Sequence, residues 1–158
     1  MEKTEIRRRE DEAIERHGWA IRGVFGSEDG SDPELAFTVG LHERGCPEII
    51  TLGMPYQVAG RLLNEVAEQL LAEHSGGSWL AVGQRLLPGW PVKLFGVPCQ
   101  KHDLIGDAEA VLARSGGTAE VVQLCWSDSK GKFPWEAGFD STLKESQPVM
   151  GRLPGGLH

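Results

Sequence analysis

The chain lacks most of the features that would assign it a class at once. It has three cysteines in 158 residues, Cys46, Cys99 and Cys125, and no C-x-x-C pair. An odd count without paired spacing excludes a disulfide framework and fits reduced thiols in the cytoplasm. No apolar run reaches the length of a bilayer span. The opening stretch, MEKTEIRRREDEAIER, has no apolar centre of the kind a secretory signal carries. Positive charge is in deficit: 16 Lys and Arg stand against 23 Asp and Glu, for a net charge of −7. A negative field disfavours nucleic acid and anionic membranes as partners. Neither a G-x-x-x-x-G-K-[ST] phosphate loop nor a G-x-S-x-G nucleophile elbow occurs.

What is present suits one α+β domain of ordinary composition, spanning residues 1–158 with a frayed tail at 152–158. Residues 3–16 read as a charged helix with a thin stripe of Ile6, Ala13 and Ile14. Strands are expected over Trp19–Phe25, Leu35–Leu41 and Glu48–Met54, with the first two antiparallel across the polar loop GSEDGSDP. Pro55 opens a helix to about His74, with Val58, Leu62, Val66 and Leu70 on its apolar face. Trp79–Leu87 and Pro91–Val97 read as two further strands. A shorter helix from Asp103 or Gly106 buries Leu104, Ala108, Val111 and Leu112, and Gly116-Gly117 stops it. Thr118–Trp126, rich in β-branched and apolar residues, is expected at the centre of the sheet. Three strands in a row before the first packing helix favour a mostly antiparallel sheet of about five to six strands, with two packing helices and an N-terminal helix.

Several segments in this order resemble the bacterial domain-of-unknown-function 4262 family. They are His17-Gly18-Trp19, Phe37-Thr38-Val39-Gly40-Leu41, Pro47-Glu48, Gln123-Leu124-Cys125-Trp126-Ser127-Asp128, Phe133-Pro134-Trp135 and Gln147-Pro148. The resemblance runs from about residue 14 to 151. It implies a domain but transfers no activity. Two positions depart from the family's usual pattern: Cys46 stands where a histidine precedes Pro-Glu, and Ser127 stands where a proline precedes the Asp.

The chemistry-bearing residues gather at expected strand ends. His17, Glu48 and Asp128 are the candidates for proton transfer. Trp19, Thr38, Gln123, Trp126, Trp135 and Gln147 would complete an aromatic-walled pocket for a small molecule or peptide. The competing expectation is structural: His17 capping a helix, Gln123 bonding backbone, and Asp128 closing an Asx-turn. Cys125 lies inside an apolar strand and reads as core, not nucleophile. His42-x-x-x-Cys46 and Cys99-x-x-His102 have zinc-compatible spacing, though such pairs arise readily by chance. TVGL followed by PEIITLGM also resembles, over about 20 residues, the flavin-binding split barrels. The expected cofactor is nonetheless none. A protein-interaction module of regulatory or immunity type, with a Trp-rich surface, is the alternative function.

Overall fold

The computed structural model describes residues 3–26, 28, 33–73, 84–86 and 89–153. Helix α1 (Lys3–His17) leads into strands β1 (Ala20–Val24), β2 (Leu35–Val39) and β3 (Glu48–Leu52). Helix α2 (Tyr56–Glu73) follows, then β4 (Gln84–Leu86), β5 (Lys93–Cys99) and β6 (Val121–Trp126). The six strands form one sheet in the order β1-β2-β3-β6-β5-β4. All neighbours are antiparallel except β3 and β6, which run parallel with Glu48 opposite Val121. The α+β class, the mostly antiparallel sheet and the central place of β6 are therefore as the sequence suggests.

Both faces of the sheet are covered. Helix α2 lays Leu62, Leu63, Val66 and Leu70 against Ala36, Ile49, Leu94, Leu124 and Trp126. Each of those helix side chains is fully buried and contributes about 1.5–3 kcal/mol as an upper figure. Val58, expected on the same stripe, is instead 36% exposed. It sits in the first turn of the helix. On the opposite face Phe37, Ile50, Leu52 and Val121 meet Leu104, Ala108, Val111 and Leu112. Those four side chains are buried as expected, but their backbone is 3₁₀, in two short pieces, Lys101–Asp103 and Gly106–Leu112. Gly106 with φ 51° and the extended Leu104-Ile105 step between the pieces prevent a continuous α-helix. The second packing helix is thus a 3₁₀ layer.

Other boundaries shift for local reasons. β2 stops at Val39, not Leu41, because Gly40 takes φ 102° and opens a 3₁₀ turn over Leu41–Arg44. β5 runs on to Cys99, two residues past the expected end. Of the strand expected at Trp79–Leu87, only Gln84–Leu86 falls among the described residues. The helix end at His74 and the tail beyond Leu153 lie outside them.

α1 is held by more than its stripe. Ala13 and Ile14 pack on the sheet, while Ile6 stays 37% exposed. Glu10, nearly buried, takes two bonds from the Arg22 guanidinium at 2.7 and 2.5 Å. Arg22 in turn lies over the Phe37 ring.

Candidate functional site

The β2–β3 connection builds a carboxylate site from local backbone geometry. Gly40, in the left-handed region, turns its N–H and those of the next two residues inward. Glu48, at the start of β3 and 1% exposed, receives them: Gly40 N–H at 3.0 Å, Leu41 N–H at 3.1 Å and His42 N–H at 3.3 Å. The Thr38 hydroxyl donates to Glu48 Oε1 at 2.8 Å and accepts the Ile49 N–H at 2.9 Å. His42 Nδ1 completes the set, 2.7 Å from Glu48 Oε2. With a carboxylate against Nδ1, that nitrogen is the donor. The His42 side chain is 18% exposed.

Cys46 sits beside this carboxylate. Burial, and then the Glu48 charge, push its thiol above the ordinary range. It is a neutral neighbour and not a thiolate nucleophile. The same holds more strongly on β5 and β6. Burial pushes Cys99 up to about 11, and Cys125, fully enclosed, is pushed up by burial and then by Cys99.

The Asp128 end of β6 is built differently. Asp128 Oδ1 accepts the Lys130 and Lys132 N–H groups, each at 2.9 Å, and Oδ2 accepts the Asp140 N–H at 2.9 Å. The Lys132 N–H chiefly, then those of Asp140 and Lys130, hold the carboxyl below the usual range. A group kept ionised in this way cannot serve as a general acid near neutrality. Asp128 organises the turn through Gly131, as the structural expectation had it.

The remaining residues of the expected pocket are satisfied one by one. Gln123 donates to the Pro148 carbonyl at 2.8 Å and accepts the Met150 N–H at 2.9 Å. Gln147 accepts the Trp126 N–H at 2.8 Å and donates to the Trp126 carbonyl at 3.1 Å. Each primary amide thus pairs with backbone groups as a peptide group would. Trp126 Nε1 donates to the Leu52 carbonyl at 2.9 Å, and Trp19 Nε1 donates to Asn64 at 2.8 Å. Trp135 stacks on Phe133 at 5.0 Å and meets Phe95 edge-on at 5.3 Å. His17 is exposed in the last turn of α1.

Of the expected set, Thr38 and Glu48 come together. Asp128, Trp126, Trp135 and Gln147 gather toward the opposite end of the sheet, because β3 and β6 run parallel from Glu48 and Val121. The two groups thus lie at opposite ends of the sheet. The Trp-rich surface does not form from the described tryptophans: Trp19 and Trp126 are buried, while Trp90 packs over α2, bonded to Glu65 and under Arg61. Trp79 lies outside the described residues.

The zinc-compatible pairs lie at one end of the sheet, but β6 separates β3 from β5. His102 is 79% exposed and 3.4 Å from Asp103. Among the described residues no group of three or more His, Cys, Asp or Glu side chains is placed to hold a metal.

Ser127 shows what its departure from proline does here. Its N–H donates to the Lys93 carbonyl at 3.0 Å, and its Oγ accepts the Lys93 N–H at 2.8 Å. Proline could do neither.

The role of His42 escaped the sequence reading, which placed it only among metal ligands. The available signal was its spacing six residues before Glu48, just after the Thr38-Val39-Gly40 step. A model of the family described as a domain of unknown function, DUF4262, matches residues 13–140. The chain belongs to this family. No curated protein and no solved structure is detectably similar to it. The family's span takes in both carboxylate ends and the whole sheet, but ends before Gln147. Among the described residues, no helix is long and apolar enough to cross a membrane.

Proposed function

We propose that this member of the family is a single cytoplasmic domain of bacterial type that binds a small molecule or peptide beside His42. His42 is the group that exchanges a proton or hydrogen bond with the ligand, and Glu48 fixes its tautomer and direction. The observation that carries this reading is the 2.7 Å contact of His42 Nδ1 with a Glu48 carboxylate that is 1% exposed and already fixed by four other donors. A carboxylate so held cannot swing away, so the imidazole it orients is preorganised. Thr38 is a positioning residue through Glu48. The reading involves no metal or flavin, and no nucleic acid or membrane as partner.

The test is a thermal-shift screen of small molecules and short peptides on the wild-type chain and on His42→Ala. A ligand at 100-fold its Kd stabilises the fold by about 2.7 kcal/mol. That gain is expected in the wild type and lost in H42A. A ligand that stabilises both chains equally would overturn the reading, as would a screen in which nothing binds.

A second reading, an interaction module, is favoured by a different observation. Phe25 is 78% exposed and Tyr56 39% exposed at one margin of the sheet.

A further inference from the structure

The end of β1, the start of β2 and the first residue of α2 frame a groove of about 140 Å³, lined by Gly23, Val24, Phe25, Glu34, Leu35 and Tyr56. The strand register explains this lining. Val24 stands opposite Leu35 in the last pair of the two strands, and Phe25 and Glu34 flank that pair. Gly23 stands opposite Ala36, which packs on the α2 side of the sheet. Side chains alternate between faces along a strand, so Phe25 and Glu34, two positions from Gly23 and Ala36, belong to the same side. Tyr56 meets them from the helix. Its ring rests on the strand backbone because residue 23 carries no side chain: a Cβ there would lie 2.2 Å from Tyr56 Cδ1 and 2.5 Å from Cε1. Glu34 is anchored by its carbonyl, which accepts the Gly53 N–H at 2.8 Å.

The chemistry of the lining selects a ligand class. Phe25 is 78% exposed and Tyr56 39% exposed, and rings left in water contribute little to the fold. Aromatic rings attract cations through their quadrupole. Glu34 adds a carboxylate, and no Lys, Arg or His is among the described residues that line the groove. An anion would meet that carboxylate and a chain of net charge −7. A cavity of about 150 Å³ accommodates a group the size of benzene, and a trimethylammonium head is of comparable size.

We propose that this groove binds a small, free organic cation of the methylated ammonium class, its head against the Phe25 and Tyr56 rings and its charge toward Glu34. Gly23 makes the room by letting the tyrosine ring lie on the strand. The groove lies at the start of β2, whereas His42 follows that strand's end, so this site is separate from the one proposed above and does not rest on it.

The experiment titrates choline chloride into the isotope-labelled full-length chain at constant ionic strength and follows each backbone amide by NMR. Saturable shifts at Gly23, Val24 and Phe25 are expected in roughly the millimolar range, with the His42 amide unmoved. Phe25→Leu keeps an apolar side chain but removes the ring, and should weaken binding about two- to fivefold. Glu34→Gln removes only the charge and should weaken it by about the same factor. Neither variant removes a buried side chain, and the unchanged spectrum elsewhere verifies the fold. The neutral analogue with a tert-butyl group in place of trimethylammonium should bind more weakly than choline. Absence of saturable shifts at the three groove amides overturns the proposal. So do shifts centred on His42 instead, equal binding of the neutral analogue, or unchanged affinity in both F25L and E34Q.

Discussion

Two buried carboxylates terminate the same sheet, and they differ in what they hold. Asp128 is surrounded by backbone N–H groups only, from Lys130, Lys132 and Asp140. Glu48 collects three backbone N–H groups, a hydroxyl and an imidazole. The first arrangement ends in the turn it closes. The second passes its orientation to a side chain that reaches the surface. Burial and hydrogen-bond count alone do not mark a functional carboxylate. The informative feature is a titratable partner.

Substitutions separate the two ends. Glu48→Ala should have the largest effect, because it orphans several buried donors at once. Each unsatisfied group costs about 1–3 kcal/mol, so a loss of roughly 3–5 kcal/mol is expected in urea unfolding. Asp128→Asn should destabilise less than E48A, as its donors lie in a surface turn that water can reach. A pH series sharpens this point. The Asp128 carboxyl is held below its ordinary value, so the stability it contributes is present above the unfolded value of about 3.9 and is lost as pH falls through the lower folded value. The acid limb of the wild-type stability curve should flatten in D128N. Ser127→Pro removes two bonds to Lys93 and should cost about 1–2 kcal/mol, read as a lower urea midpoint. His42→Gln should be the mildest for stability, within about 1 kcal/mol. If H42Q proved as damaging as E48A, the imidazole would be a structural part of the turn and the contrast between the two ends would collapse.

The sequence made some of this legible and not the rest. Helix α2 was readable because its apolar period is intrinsic to fifteen or more contiguous residues. β6 was readable as central from its β-branched and apolar content. The parallel β3–β6 pairing was not, since it joins segments some seventy residues apart and depends on which neighbour each strand meets. That pairing puts Glu48 and Asp128 at opposite ends of the sheet, which separates the strand-end residues into two groups. Gln147 reads as a polar group aimed at a ligand, and Gln123 as either that or a partner for backbone. Their actual partners are backbone groups 25 and 21 residues away, and nothing in local pattern announces a side chain that imitates a peptide bond. Phe25 was read as the last residue of a strand, and its exposure follows from β2 ending its pairing with β1 at Val24.

The two glutamines also fix where the fold stops. The family match ends at residue 140, yet the amide of Gln123, at the middle of β6, finds its partners at Pro148 and Met150. Phe95, Val97, Cys125 and Phe133 are roofed in part by Val149 and Leu153. A fragment cut at the family's boundary would strip a buried amide and a patch of aromatic core. A chain cut at residue 140 should therefore be less stable than one that runs through Leu153, the last residue to pack on this core.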